Sequence, residues 1–317
     1  MSIKILSIAK SLPKNAISND QLGEFLDTSD EWIFPRTGIK SRYICASETL
    51  TDLCVDAVNA AINKSSVSIS DVDLIICSTL GADYVTPSLA CCVGEKLGLS
   101  CPSFDINAAC SGFIYALDMA DSYISTNKAS TVLIVCAEMM SKHVDWSDRS
   151  TCVLFGDGAA ACLVTKGNAL KKINLTAKGN IDILNIPSAN GNSPFKEKND
   201  DIFLHMQGQE VFKFAVSMID MQCKKILSEL DMDIKDIDYF ILHQANKRII
   251  EFARTRLGQS TEKIPVNIEN YGNLSSVSIP ILLEEMTADG RIKKGSKLLL
   301  SAFGSGLTTG TCVMEWE

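Results

Sequence analysis

The 317-residue chain predicts an α/β protein built from two related halves. Three observations carry that expectation. First, "DVDLIICSTL" (71–80), "STVLIVCAE" (130–138), "DIDYFILHQ" (236–244) and "SKLLLSAFG" (296–304) are short, apolar and β-prone. Runs of that kind belong inside a sheet covered by helices on both faces. Second, helical patterns lie between them, such as "TDLCVDAVNAAINKS" (51–65) and "EVFKFAVSMIDMQCKKILSEL" (210–230). Third, the pattern repeats. "DVDLIIC" at Asp71 returns as "DIDYFIL" at Asp236, 165 residues on, and "KASTVLIV" at Lys128 returns as "KGSKLLLS" at Lys294, 166 residues on. A near-constant offset over two elements is the mark of a duplicated unit.

Along the chain, the opening "MSIKILSIAKSLP" is too short and too interrupted by lysines to read as a signal peptide. After the first pair of strands, the stretch from Lys166 to Asp201 is rich in Asn, Lys and Gly and holds Pro187 and Pro194. It is the expected connection between halves, which places one half at 1–166 and the other at 167–317. Composition is that of an ordinary globular protein, 46% apolar and 21% charged. A net charge of −8 argues against nucleic acid as a partner, and no apolar run reaches a membrane span. Twelve cysteines without an export signal predict a reducing cytoplasm. No Cys-x-x-Cys occurs and there are only three histidines, so a zinc site is not expected.

Chemistry gathers at four places. In "NAACSGFIYALDMA" (107–120), Cys110 stands where the strand "CPSFDI" turns into a helix carrying Phe113, Leu117 and Ala120 at helical spacing. A thiol at a helix start faces free N–H groups and the positive end of the dipole, so its pKa is expected to fall. "LHQANKRII" puts His243 just after an apolar strand, and "NYGNLSSVSIP" puts Asn273 before another helix. "NAAC" and "NYGN" occupy similar places in the two halves, so Cys110 and Asn273 are expected to start equivalent helices that converge on one cleft. "AFGSGLTTG" (302–310) is a Gly-rich loop. It and "FGDGAAACLVT" run on into β-prone sequence, where a phosphate-binding loop would open a helix.

"LDTSDEWIFPRTGIKSRYI" (26–44), "AACSGF", "DRSTCVLFGDGAAA", "HQANKRII", "YGNLSSVSIP" and "AFGSGLTTG" together resemble the β-ketoacyl-[acyl-carrier-protein] synthase III family, in matching order and spacing from the first strand to the C-terminus. The resemblance implies the thiolase fold, a five-layer α/β/α/β/α sandwich, and a homodimer. It implies an acyltransferase that starts type II fatty acid synthesis. Acyl-CoA loads the nucleophile, and malonyl-acyl carrier protein then condenses with loss of CO₂. No cofactor is held permanently.

By the same resemblance Cys110 is the nucleophile, and His243 and Asn273 complete the catalytic set. A thiol suits the first step because it exchanges with a thioester of similar basicity. Neutral donors such as an imidazole N–H and a side-chain amide suit the enolate formed when CO₂ leaves. The oxyanion hole is expected from the backbone N–H groups of Cys110 and Ser305. Trp32, Arg36 and Arg149 match positions at the adenine end of coenzyme A, and Phe212 and Asn246 match the pantetheine tunnel. Gln244, Ala245, Asn246, Lys247 and Arg248 match the carrier-protein contact. There Lys247, Arg248, Arg254 and Arg256 outnumber Glu251, a basic patch able to steer an acidic carrier. Thr86, Met139 and Phe155 are the expected acyl pocket, with Met140 beside them.

The chain departs from the family pattern at Ser305, Thr309, Ala160 and Ala9, none of them in the catalytic set. A second enzyme reading is a synthase III-like acyltransferase of specialised metabolism that uses the same three residues. A third is a non-catalytic module binding carrier protein, against which the intact Cys110, His243 and Asn273 argue.

Overall fold

The computed structural model describes residues 2–189, 191, 194–197 and 201–317. In the first half the order is β1 (Ser2–Ser11), β2 (Ala16–Ser18), α1 (Asn19–Gly23), α2 (Asp30–Thr37), β3 (Ser41–Tyr43), α3 (Leu50–Asn63), β4 (Leu74–Ser78), α4 (Leu89–Leu97), β5 (Ser103–Ile106), α5 (Gly112–Ser125), β6 (Thr131–Met139) and β7 (Asp157–Gly167). The second half continues with β8 (Leu170–Ala177), β9 (Leu184–Asn185), β10 (His205–Met206), α6 (Gly208–Glu229), β11 (Tyr239–Leu242), α7 (Lys247–Leu257), α8 (Ile268–Tyr271), α9 (Ser278–Ala288), β12 (Lys297–Gly304) and β13 (Thr308–Glu315). The helix ends follow local chemistry. Thr49 caps α3 in a box with Asp52, Ser88 accepts from Cys91 N at the start of α4, and Asn246 accepts from Arg248 N at the start of α7. Glycines in the left-handed region, Gly98 and Gly258, stop α4 and α7.

The two large sheets have the orders β1-β7-β6-β4-β5 and β8-β13-β12-β11, and β2-β3 and β9-β10 form two small two-stranded ones. In each large sheet, the first two pairings are antiparallel and the next is parallel. Four strands therefore correspond one to one. So do the short 3₁₀ turns Ile69–Asp71 and Ile234–Asp236, each closed by a reciprocal cap, from Ser68 and Asp233. The connection between the sheets is only the turn between Gly167 and Leu170, shorter than the expected 166–201. β8 lies inside that stretch and already pairs with β13. The rest of it is an excursion of the second half, of which residues 190, 192, 193 and 198–200 lie outside the described part.

Layering follows from which side chains meet. α5 and α9 contribute Phe113, Ile114, Leu117, Ile281 and Leu282 to one core with residues of both sheets, so these helices are the central layer. α3 and α4 cover the outer face of the first sheet, and α6 and α7 that of the second. The result is the five-layer sandwich that the family resemblance implies, built on the two related halves that the repeated pattern predicts.

Candidate active site

The turn that carries Cys110 is built by close backbone approach. Beyond β5, Asn107 Oδ1 accepts from Ala109 N (3.2 Å), and Ala109 takes φ 47°, unusual for a residue with a Cβ. Cys110 follows in a single 3₁₀ turn, Ala109–Ser111, that leads into α5. Gly112 opens the helix because a Cβ there would lie 1.8 Å from Ser78 Oγ. Gly304, at the end of β12, lets the Gly-rich loop lie on the turn, since its Cβ would lie 2.7 Å from Cys110 N. Thr308 Oγ1 ties that loop to the turn, 3.1 Å from Ala108 O.

The second half repeats this turn with a different occupant. Asn273 Oδ1 accepts from Ser275 N (2.9 Å), Ser275 has φ 49°, and a 3₁₀ turn, Ser275–Val277, leads into α9. Asn273 is thus the counterpart of Asn107, and Ser276 that of Cys110. This corrects the expected pairing of Cys110 with Asn273 by three residues. The offset of 166 between the strands of the two halves already implies the corrected pairing. With Oδ1 occupied, the amide of Asn273 keeps Nδ2 as its remaining donor. The loop is stitched to the first half, with Asn273 N donating to Leu154 O (2.8 Å) and Gly156 N to Asn273 O (3.2 Å). Gly156 permits that approach, because a Cβ would lie 2.6 Å from Tyr271 O.

His243 follows β11, with its backbone N–H on Ser301 O (2.9 Å). The side chain is 2% exposed, packs edge-on to Phe303 at 5.4 Å, and has no hydrogen-bond partner on either ring nitrogen among the described residues. Buried polar atoms are nearly always paired, so an imidazole left free at a cavity wall is available to a ligand in the cavity. Burial lowers its pKa to about 3, so it is neutral at any working pH.

Cys110, His243 and Asn273 all line one cavity of about 1020 Å³. The expectation of an acidified Cys110 is not met. Burial, with the Glu138 carboxylate nearby, pushes its thiol up to about 12, against opposing hydrogen bonds from Ser275 and its own backbone. The cysteine keeps some exposed surface because it opens on the cavity, yet it lies deep in the protein. Desolvation of the thiolate outweighs the helix start.

Ser305 lines the cavity too, held by Oγ donating to Leu184 O (2.6 Å), as do Phe212, Ala245, Asn246 and Phe155. Met139 does not. It packs with the outer core of α3 and α4, while Met140, one residue on and past the end of β6, is on the wall. Thr86 is exposed beyond the wall, and its neighbour Val85 borders the cavity. Trp32 lies outside, with Arg36 and Arg149 stacked on its indole at 4.8 and 4.9 Å. Gln244 is 1% exposed and spans Leu242 O and Asn267 N, so it cannot touch a carrier protein and instead fixes the turn after β11. Arg254 is also removed from the basic patch. It is buried against Ile264 O and Glu251, whereas Arg248 and Arg256 are exposed. Sequence reasoning missed Glu138, a fully buried carboxyl at the end of β6 that accepts from Ser276 Oγ (2.7 Å) and Leu80 N (2.9 Å).

A thiol, an uncharged imidazole and a side-chain amide, brought from two duplicated halves to the wall of one cavity, fit a thiolase-fold acyltransferase. Two family profiles match, 3-oxoacyl-[acyl-carrier-protein] synthase III over residues 104–179 and its C-terminal part over 227–316. The chain is 43% identical to a β-ketoacyl-[acyl-carrier-protein] synthase III of Clostridium acetobutylicum, covering 99% of both chains. Against one from Clostridium perfringens the figures are 44% and 98% of both. The crystal structure of 3-oxoacyl-[acyl-carrier-protein] synthase III from Aquifex aeolicus superposes with a TM-score of 0.93 at 40% identity, covering 99% of this chain and 100% of that one. The chain belongs to the β-ketoacyl-[acyl-carrier-protein] synthase III family of condensing acyltransferases.

Proposed function

We propose that the chain moves an acyl group from coenzyme A to Cys110 and then condenses it with malonyl-acyl carrier protein, giving 3-oxoacyl-carrier protein and CO₂. One observation carries the reading: Cys110, His243 and Asn273, from three separate turns, open on one cavity. In the first step the thiol sulfur attacks the thioester carbonyl, and the oxyanion is met by the N–H groups of Cys110 and Ser305. In the second, loss of CO₂ from the malonyl thioester puts charge on its oxygen, which His243 and Asn273 Nδ2 stabilise as neutral donors. The new carbon nucleophile then attacks the Cys110 thioester. Mixing the protein with acetyl-CoA and malonyl-carrier protein tests this. An acetyl adduct on Cys110 and a 3-oxoacyl product are expected, and absence of both would reject the reading.

Substrates reach the cavity beside α2 and α7, which are tied by Asn246 Nδ2 donating to Arg36 O (3.1 Å). Trp32 with Arg149 forms a flat cationic platform suited to a purine. Lys247, Arg248 and Arg256 form the steering patch for an acidic carrier. Lys247→Glu and Arg248→Glu should raise the KM for malonyl-carrier protein, most at low salt, with little effect on acetyl-CoA loading. Equal loss in both half-reactions would mean that these residues only support the fold.

The working form is proposed to be a cytoplasmic homodimer in which the exposed loop Tyr84–Thr86 reaches the second copy's acyl pocket. The pocket wall is apolar, with Leu80, Val85, Met140, Phe155 and Leu204. With threonine rather than a bulky ring at residue 86, butyryl and branched short starters are expected to be used at least as well as acetyl. Each buried methylene adds about 0.8 kcal/mol, roughly fourfold in kcat/KM per carbon, until the floor is met. A kcat/KM series from acetyl- to octanoyl-CoA reads this, with Thr86→Phe shortening the accepted chain. A steep fall from acetyl onward, unchanged in that variant, would contradict it.

A further inference from the structure

His243 and Asn273 stand on different turns of the second half, yet the proposed decarboxylation needs both donors aimed at one enolate oxygen. Each has a neighbour in the chain whose side chain is committed to holding its turn. Gln244, next to His243, donates from Nε2 to Leu242 O (2.8 Å) and accepts at Oε1 from Asn267 N (3.2 Å). It therefore straps the turn after β11 to the start of α8. Tyr271, two residues before Asn273, ends α8, and its ring stacks on that of Tyr43 with centres 6.0 Å apart.

Both lines end on Glu285, which lies on α9, the helix that the Asn273 turn leads into. One carboxylate oxygen, Oε2, accepts from Asn267 Nδ2 (2.8 Å), and the other, Oε1, accepts from the Tyr271 hydroxyl. A single carboxylate thus reaches the His243 turn through Asn267 and Gln244, and the Asn273 turn through Tyr271. The first half supplies its counter-charge. Lys10 Nζ, on β1, donates to Glu285 Oε1 (2.9 Å) and to the Tyr271 hydroxyl oxygen (3.1 Å). The same ammonium lies 3.3 Å from Glu284 Oε2, and Lys64 Nζ takes the other oxygen of Glu284 at 2.7 Å. Burial pushes the Glu285 carboxyl up, but the bonds from Tyr271, Asn267 and Lys10 outweigh it and hold the group below the usual carboxylate range. Hydrogen bonds to an ionised acceptor are the strong kind, so both arms are firmly held.

Resting on the function proposed above, we propose that Glu285 is a positioning residue for condensation, whose carboxylate clamps the His243 and Asn273 turns together so that both donors meet the enolate oxygen. Glu285, Asn267 and Tyr271 are not on the cavity wall and touch no reacting atom. The Cys110 turn lies outside the clamp, since it is set by Asn107, Gly112 and Gly304. Loss of the clamp therefore falls on the second half-reaction and spares the first.

Two rates measured on the whole enzyme test this: acetyl transfer from acetyl-CoA to Cys110, and CO₂ release from malonyl-carrier protein by the acetylated enzyme. A misplacement of 1 Å can cost about 10²-fold, so Glu285→Ala is expected to lose about tenfold or more in kcat for CO₂ release. Its acetyl loading and its KM for malonyl-carrier protein should stay close to wild type, because the Cys110 turn and the basic patch of α7 are untouched. Tyr271→Phe removes one hydroxyl and keeps the ring, and Asn267→Ala frees the other arm. Each should show the same selective loss to a smaller degree, and Tyr271→Phe should add nothing in the Glu285→Ala background. Glu285→Gln, which keeps one carbonyl oxygen as acceptor, should recover part of the rate. Equal loss in both half-reactions would mean that these residues only brace the fold, and would overturn the clamp. Undiminished CO₂ release from Glu285→Ala, or fully additive losses in the double variant, would overturn it too. If Glu285→Ala does not fold, Tyr271→Phe decides alone. Wild-type protein that neither loads acetyl nor releases CO₂ would overturn the proposed function and the clamp together, whereas wild-type turnover with unimpaired variants removes only the clamp.

Discussion

Cys110→Ser is expected to abolish acyl loading and, with it, condensation. Loss of a nucleophile typically costs on the order of 10⁴–10⁶ in rate, and here nothing nearby can substitute. The burial that pushes the Cys110 thiol up to about 12 would hold a serine hydroxyl, intrinsically far less acidic, in its neutral form. An acyl ester is also a poorer donor than a thioester in the second step. Fold and cavity should persist, because the turn is set by Asn107, Gly112 and Gly304 rather than by the sulfur. Intact-protein mass after exposure to acetyl-CoA reads the outcome. An acetylated Ser variant with continued turnover would show that Cys110 is not the acceptor.

His243→Ala and Asn273→Ala should separate the two half-reactions. Both variants are expected to take the acyl group on Cys110 and to fail at decarboxylation. Each removes one neutral donor to the enolate, worth about 2.7–4 kcal/mol, or roughly 10²–10³ in rate, if it acts as an oxyanion-hole contact does. Trapping acyl-enzyme and counting CO₂ released from malonyl-carrier protein distinguishes the steps, and undiminished CO₂ release from either variant would contradict the roles. The pH dependence has a definite sign. With its folded pKa lowered to about 3, His243 stays neutral, so condensation should show no break near 6.5 from this residue. Between pH 6.5 and 3 the unfolded chain binds the proton that the folded one refuses. His243 therefore contributes stability above that window that is lost as pH falls through it, and His243→Ala should soften the acid side of the stability curve.

Much of the architecture was legible because it rests on local pattern. Apolar runs such as 74–78 and 239–242 can only be interior strands, and the repeated Asp71 and Asp236 segments announce the duplication before any contact is known. The residue types of the site were legible for the same reason. Cys110, His243 and Asn273 each stand at the end of a regular element, where the chain offers side chains to a cleft.

What tertiary structure alone decided is the environment of those residues. From sequence, a cysteine at a helix start should be acidic, but the depth of the cavity makes desolvation the larger effect and reverses the direction. Gln244 and Arg254 look like surface residues in a polar motif, and only packing shows that backbone carbonyls have claimed them. Met139 and Met140 cannot be told apart by composition, yet one residue of register sends the first to the outer core of α3 and α4 and the second, past the end of β6, to the cavity wall. Glu138 and Ser276, hydrogen-bonded to each other, lie 138 residues apart and carry no mutual signal in the chain. Element identity follows from short-range periodicity, which sequence contains. Charge state and partnership depend on burial and on neighbours brought together across the two halves, and those exist only once the five layers close.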